Sequence, residues 1–517
     1  MSPAHNMSPK PWTEWENNTN KYWWKDKGLR LCVANVAILF LGCFSNGYDG
    51  VLINGLQVLP SWQTRFAPSS ATLGLIVTSY YFPGVIMPYV FQSLCDRFGR
   101  RPVVALGSLI GIFGSLLGGL GNSLGTFIAA RVLVGTAFFC NLVAIPSLVA
   151  ETAHPRFRAT ATASFSNVYF LGTAVAGWVN FGVTYFDSDW AWRIPFILQC
   201  LGCVPIVIWA CTPWMVESPR WLVSRGREED AHRLLAKLHA NGDMDDELVV
   251  MELCEIKEMV TFENGLPTGV EPYLAFFQTK GNRLRIFLCV FLSFSMAMAG
   301  NNILGSYLGQ VLVMCGVTGA LTLQGIVCGL TMWLLLVSMV TCLYIERFGR
   351  RRLYMVTITI MTVSMGVQIA FMAVTAEHPN VGKGAIATIF IFMTAYSVGP
   401  NPIWLLYLTE MLPFELRTAG IAVATFTFAI WTIFGNYIVP IAFAHIGYKY
   451  YYVPLAVNIV SLVIFFLYVK ETKGRTLEEM AQVFDGPTVH RSVADKEGGY
   501  AQNAARSVEK LEVEHKE

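Results

Sequence analysis

The sequence predicts an all-α membrane protein, with twelve transmembrane helices arranged as two pseudo-symmetric six-helix bundles. Three observations carry that prediction. The composition is too apolar for a soluble chain, the apolar residues fall into twelve helix-length runs, and a set of charged motifs is written twice.

Of the 517 residues, 54% are hydrophobic and only 14% are charged, where soluble domains carry roughly a quarter. A run of about 20 apolar residues crosses the ~30 Å hydrocarbon layer as a helix. Such runs fall at about 31–58, 73–94, 103–122, 126–150, 160–185, 194–212, 285–313, 321–345, 353–375, 385–409, 418–444 and 451–469. They group into a cytosolic tail (1–29), a first bundle (30–212), a cytosolic linker (213–283), a second bundle (284–470) and a second tail (471–517). Within the linker, EEDAHRLLAKLHA sets Leu234, Leu235 and Leu238 on one face of an amphipathic helix, and MDDELVVMELCEIKEMV reads as a second. Residues 486–517 are charged without apolar periodicity and read as disordered.

Lys and Arg concentrate in the loops after spans 2, 4, 8 and 10 (DRFGRRP, ETAHPRFRA, ERFGRRR, EMLPFELR), whereas GNSLG and CGVTGA on the other side carry none. The Arg-rich loops are therefore expected in the cytosol, with both termini, and the membrane is expected to be the plasma membrane. No short apolar core with a small-residue cleavage site precedes span 1, so span 1 itself is expected to direct insertion. The twelve cysteines lack metal or disulfide spacing, and Cys200-x-x-Cys203 inside span 6 reads as two small core residues. No nucleophile, phosphate loop or metal cluster suggests an enzyme, and no cofactor or nucleic-acid partner is expected.

The duplication is explicit. Asp96-Arg97-Phe98-Gly99-Arg100-Arg101 returns as Glu346-Arg347-Phe348-Gly349-Arg350-Arg351, Glu151 and Arg158 return as Glu410 and Arg417, and Glu217-Ser218-Pro219-Arg220 is echoed by Glu471-Thr472-Lys473-Gly474-Arg475. The offset is nearly constant (96 to 346, 151 to 410, 217 to 471), as in carriers whose substrate sits at the midplane between two repeated halves.

Two charges lie deep in the spans. Asp49 is about 14 Å, and Arg131 about 9 Å, below the outer surface at the rise of a helix. An ionisable group at such depth is functional by default and needs a partner. Loss of water favours a neutral carboxyl and a guanidinium favours the carboxylate. The charge on Asp49 therefore depends on whether Arg131 is close, which makes the pair a proton switch; a permanent ion pair that only sets helix packing is the alternative.

Taken together, GYDG in span 1, DRFGRRP, AARVLVG around Arg131, the two E-x6-R pairs, ESPRWL and ETKGRTLEEM resemble the sugar porter branch of the major facilitator superfamily over nearly the whole chain. EMLPFELRTAG, IGYKYYYV and ETKGRTLEEMAQVFDG are most similar to fungal lactose permeases and their disaccharide-carrying relatives. The resemblance implies a proton-coupled carrier, working as a monomer by alternating access, that imports a sugar or sugar-like solute. In it, Asp49 and Arg131 are partners, and Asn commonly replaces the Asp in passive members. It also implies a cytosolic gating network of Asp96, Arg97, Arg101, Glu151, Arg158, Glu217 and Arg220 in the first half and Glu346, Arg347, Arg351, Glu410, Arg417 and Glu471 in the second, holding the halves together when the carrier faces outward.

The sugar contacts depart from the family pattern. Where span 7 of a sugar porter carries a glutamine pair before G-I-N, this chain reads Met296-Ala297-Met298-Ala299-Gly300-Asn301-Asn302. The span 5 glutamine falls on Ser166, beside Asn167, and the span 10 tryptophan position on Leu405, with Trp404 one residue early. Ser166, Asn167, Asn301, Asn302, Tyr307, Trp404 and Asn436 remain as candidate substrate contacts, and each serves equally well as helix–helix packing. A carrier, even an exporter, of a non-sugar metabolite is therefore a second reading, and a nutrient sensor a third.

Overall fold

The computed structural model describes residues 17–20, 22–265, 269–344, 348–375, 378, 382–473, 480 and 483–484. The described residues form helices joined by short loops, with no strand among them. Residues 486–517, expected to be disordered, lie outside the described residues, as do Glu346 and Arg347.

Six spans make the first bundle. Span 1 is Lys27–Leu56, span 3 Arg100–Leu120, span 4 Leu124–Thr152 and span 5 Pro155–Val183. Span 2 is broken into Ser70–Ser79, a 3-10 turn Phe82–Val85 and Met87–Phe98, because Pro83 and Pro88 cannot donate to the preceding turn. Span 6 pauses at Gln199, between Trp190–Leu198 and Cys200–Ala210. The freed Gln199 carbonyl accepts from Ser45 Oγ of span 1 at 3.1 Å, as backbone polar groups in a membrane must find an internal partner.

The second bundle repeats the plan with spans 7 (Lys280–Met298, Asn301–Met314), 8 (Ala320–Tyr344), 9 (Arg350–Thr375), 10 (Gly382–Val398, Pro400–Met411), 11 (Phe414–Ile446) and 12 (Tyr452–Tyr468). Nine helical stretches among the described residues are long and apolar enough to cross a membrane. One of them, Glu415–Tyr468, contains both spans 11 and 12. Span 2 is cut short by its prolines, and span 5 is helical through 29 residues that include Thr160, Thr162, Ser164, Ser166 and Asn167. Twelve spans result. Their outer faces show Phe113, Leu201, Ile208, Leu336 and Phe466 to the surroundings, an apolar belt that lipid would cover.

Span 1 packs on span 5 through a reciprocal glycine pair. A methyl group on Gly47 would collide with the Tyr169 carbonyl, and one on Gly172 would collide with the Phe44 carbonyl. Small residues thus allow backbone contact that lipid cannot replace, and they set the rotation of span 1 around Asp49.

The two halves meet through span 1 against the second segment of span 7, span 5 against span 8, and span 2 against span 11. On the side opposite the Arg-rich loops, side chains cross the seam to backbone carbonyls. Asn54 Nδ2 donates to Gly305 at 2.5 Å, Gln57 Nε2 to Ser306 at 2.9 Å and Gln324 Nε2 to Gly55 at 2.8 Å. These bonds tie the two halves together on that side.

The linker folds into Pro219–Ser224, Glu228–His239, Glu247–Asn264 and Glu271–Ala275. Both expected amphipathic helices are present, with Leu235 and Leu238 buried and Leu234 partly so. Asp246 caps the second at Leu248 N and Val249 N, and also accepts from Asn17 Nδ2 and Asn18 N, tying the N-terminal segment to the linker.

Candidate functional site

Asp49 and Arg131 are brought together in the first bundle. Arg131 Nη1 donates to Asp49 Oδ1 at 2.6 Å, and the two side chains are 4% and 1% exposed. The Arg131 guanidinium also lies 4.7 Å over the ring of Tyr80, a cation–π contact that strengthens without water. Gln199 Nε2 donates to the same carboxylate oxygen at 2.9 Å. The site is thus assembled from spans 1, 2, 4 and 6.

The sequence reading missed Gln199 and Tyr80. The signal for Gln199 was present, since an amide among apolar residues of span 6 needs a partner. Cys200 and Cys203 face helix packing, with Sγ to Ile112 O at 3.7 Å and to Ser45 Oγ at 3.5 Å.

The candidate substrate contacts divide between the seam and the helix breaks. Span 7 breaks at Gly300, whose φ of 102° belongs to the left-handed region that glycine tolerates. Carbonyls released there are taken by Asn302 Nδ2, to Ala297 O at 2.8 Å, and by Asn458 Nδ2 of span 12, to Ala299 O at 3.0 Å. Asn301 Nδ2 bonds Asn302 Oδ1 at 3.2 Å, and the buried Asn301 Oδ1 has no partner among the described residues. Tyr307 sits at a kink and its hydroxyl donates to Asn436 O at 2.6 Å. Asn436 Nδ2 donates to Thr432 O at 2.9 Å. Trp404 donates to Ser293 Oγ at 3.2 Å and packs on Phe428, while Leu405 is exposed. Asn302, Tyr307 and Trp404 therefore make structural bonds, whereas Asn301 keeps a free acceptor. Asn167 is half-buried on span 5, and the side chain of Ser166 lies outside the described residues.

The duplicated charges form the same bonds twice. Glu217 Oε1 accepts from Arg100 N at 2.8 Å, and Glu471 Oε1 accepts from Arg350 N at 2.7 Å. Arg100 pairs with Glu151 at 3.3 Å and Arg350 with Glu410 at 3.0 Å. Arg101 Nη2 donates to Ala210 O and Arg351 Nη2 to Phe466 O, at 2.8 and 2.6 Å. Each of these bonds joins elements of one half. Arg100 and Arg350, absent from the expected network, are its centres, and the repeat offset already matched them. Asp96 accepts from Gln92 Nε2 at 3.2 Å, Arg97 lies over Phe98, Arg158 pairs with Glu252 at 2.9 Å, and Arg220 pairs with Glu263. Arg417 stands at the start of span 11.

Beyond the bundle, the linker docks through buried histidines. His239 Nδ1 meets Glu252 Oε2 at 2.5 Å, its Nε2 meets Thr152 O at 3.3 Å, and its ring packs edge-on against His154 at 5.0 Å. Burial lowers the His239 pKa, but Glu252 outweighs it and pushes the group up to about 10. Burial, with His239 beside it, pushes His154 down to about 3.

A profile of the family described as "Sugar (and other) transporter" matches residues 34–484. Among curated proteins, the chain is similar to the quinate permease of Emericella nidulans, 29% identical over 468 residues, spanning 85% of this chain and 86% of that protein. It is also similar to the sugar transporter STL1 of Saccharomyces cerevisiae, 26% identical over 413 residues, 79% of this chain and 71% of that protein. Among solved structures, the inward-open xylose transporter XylE from E. coli superposes with a TM-score of 0.72 at 20% identity, covering 88% of this chain and 100% of that one.

Proposed function

We propose that this chain, which belongs to the sugar (and other) transporter family, imports a sugar or sugar-like solute in symport with protons by alternating access. The observation that carries the reading is the buried Asp49–Arg131 pair at 2.6 Å. Holding an ion pair in hydrocarbon is costly, so a pair kept there reads as functional. Protonation of Asp49 would end its charge-assisted bond with Arg131 and loosen span 1 from span 4. Return of the carboxylate would restore the pair. The carrier thus gains two arrangements of its first half that differ by one proton. The bonds across the seam opposite the Arg-rich loops, with the Arg100–Glu151 and Arg350–Glu410 pairs each lying within one half, support a state closed on the side opposite those loops. Those loops are placed in the cytosol by their positive charge, with both termini and the linker on the same side of the plasma membrane.

Radiolabelled uptake into expressing cells, in acidic against neutral medium and with a protonophore, tests the coupling. Accumulation that is acid-stimulated, collapses with protonophore and disappears in Asp49→Asn supports it. Concentrative uptake by Asp49→Asn refutes it.

A non-sugar metabolite is the second reading, favoured by one observation. Met296 and Ala297 stand where the glutamine pair of the sugar porters would meet sugar hydroxyls, and each buried hydroxyl left unpaired costs about 1–3 kcal/mol. A competition panel of mono- and disaccharides beside cyclic hydroxy acids decides between the two.

A further inference from the structure

Span 2 belongs to the first half and is held to the second on both sides of its break. In its first segment a methyl on Gly74 would collide with the Tyr437 carbonyl of span 11, and in its last segment Tyr89 Oη donates to Ala422 O of span 11 at 2.9 Å. Between these contacts the chain runs on three-residue bonds, Tyr81 N to Thr78 O at 2.8 Å, Gly84 N to Tyr81 O at 2.9 Å and Ile86 N to Pro83 O at 3.2 Å. Such a stretch inside a helix often marks a hinge. Span 4 of the first half grips this break through residues one turn apart on one face. A methyl on Gly135 would collide with the Tyr80 carbonyl, Arg131 lies 4.7 Å over the Tyr80 ring, and Phe138 packs on the same ring at 5.3 Å. The Tyr80 hydroxyl is directed at the Asp49 carboxylate. Tyr81, the next residue, faces Ser306 of span 7 in the second half. One break thus meets the ion pair with one tyrosine and the opposite half with the next.

We infer that Tyr80 is the positioning residue that carries the protonation state of Asp49 to the seam, with the break in span 2 as the joint. This rests on the proton-coupling reading and extends it from the ion pair to the parts that move. While Asp49 is charged, its carboxylate holds Arg131 from one side and the Tyr80 ring holds it from the other. The Tyr80 hydroxyl meanwhile has a charged acceptor, and bonds of that kind are about twice as strong as neutral ones. On protonation the carboxyl gains one O–H bond, its proton coming from solution, and no other covalent bond changes. Arg131 and the Tyr80 hydroxyl then lose their charged acceptor together. The break is released from span 1 while Gly135 keeps it against span 4. The segments on either side, held to span 11, turn about it, since a hinge needs only a few residues that absorb a change of dihedral angle. The titratable and charged groups facing Asp49 and Tyr80 are Arg131 of span 4, Tyr48 of span 1, Tyr81 of span 2 and Tyr169 of span 5. Gln199 of span 6 adds a neutral amide.

Two readouts on the purified full chain in liposomes, titrated over pH, test this. Infrared difference spectroscopy follows the carboxyl band that Asp49→Asn removes. Spin labels on Thr64→Cys and Thr318→Cys, exposed sites of the two halves opposite the Arg-rich loops, follow the seam in a background carrying Cys211→Ser and Cys254→Ser. In the labelled parent chain the two signals are expected to share one midpoint. Tyr80→Phe keeps the ring under Arg131 and removes the hydroxyl, so both midpoints should move upward together by about one pH unit. Tyr80→Leu removes ring and hydroxyl, so the band should still titrate while the distances stop following it. Distances that track the band in Tyr80→Leu as they do in the parent overturn the proposal and leave the coupling reading intact. An unmoved midpoint in Tyr80→Phe overturns it equally, and stays decisive if Tyr80→Leu does not fold. A parent whose seam ignores a titrating band overturns it as well. Absence of any titrating Asp49 band in the parent overturns the coupling reading itself, and the proposal with it.

Discussion

Arg131 reaches Asp49 Oδ1 at 2.6 Å across 82 residues of sequence, and does so with both side chains shut off from solvent. Arg131→Ala would strand the carboxylate and is expected to cost about 3–5 kcal/mol, as losing one partner of a buried pair does. The double variant Arg131→Met/Asp49→Asn should recover most of that stability yet carry no proton. Thermal melts of the detergent-purified protein separate the two, and a double variant no more stable than Arg131→Ala would show that the pair is not the cause.

Gly47, Gly135 and Gly172 are expected to be among the least replaceable glycines of the first bundle, since a methyl on any of them would meet a backbone carbonyl. Gly47→Ala drives a methyl into the Tyr169 carbonyl, and overpacking of this kind costs about 1–3 kcal/mol. Gly182, on the same span 5, has open space around it, so Gly182→Ala should be neutral or stabilising by up to about 1 kcal/mol. Melting temperatures of the two variants in parallel provide the check.

The bonded seam should be adjustable. Asn54→Val removes a donor to Gly305, and Gln324→Leu removes the donor to Gly55. At about 1 kcal/mol for each bond, each change should shift the balance between sealed and open arrangements by about fivefold. Spin-label distances across the seam read that shift, and unchanged distance distributions would argue that apolar packing alone closes it.

Docking of the linker should be strongest near pH 6.5. His239 has its pKa raised from 6.5 to about 10, so its contribution is complete below 6.5 and is lost as pH rises through 10. His154 is lowered from 6.5 to about 3, so its contribution is complete above 6.5 and is lost as pH falls toward 3. Glu252, where burial is outweighed by His239, is lowered from 4.5 and adds to the loss on the acid side. Hydrogen exchange of Glu247–Asn264 against pH should be slowest near that value. His239→Leu should flatten the alkaline limb and leave the Arg158–Glu252 bond in place.

Much of the architecture was legible because membranes impose simple rules. Helix-length apolar runs, Arg-rich loops and a near-constant repeat offset were enough for twelve spans in two halves, and the two linker helices followed from their periodicity. The Asp49–Arg131 pair was legible for the same reason, since buried charge demands a partner. Trp404 and Asn302 were less so. A polar or aromatic residue on a membrane helix faces a seam, a neighbouring helix or its own broken backbone, and one-dimensional spacing does not distinguish these. Arg100 was overlooked although it stands in a quoted motif, because three arginines in one loop look alike until the fold selects which one meets Glu151.

The sequence by itself thus determined the solvent of each segment, the duplication, and the existence of one deep acid and one deep base. Only the tertiary structure decided which neighbours share Asp49. Gln199 and Tyr80 come from different spans, and their convergence depends on how glycine-mediated packing rotates each helix about its axis. Hydropathy records that a residue is buried; the direction it faces is set by the shapes of the surfaces that close around it.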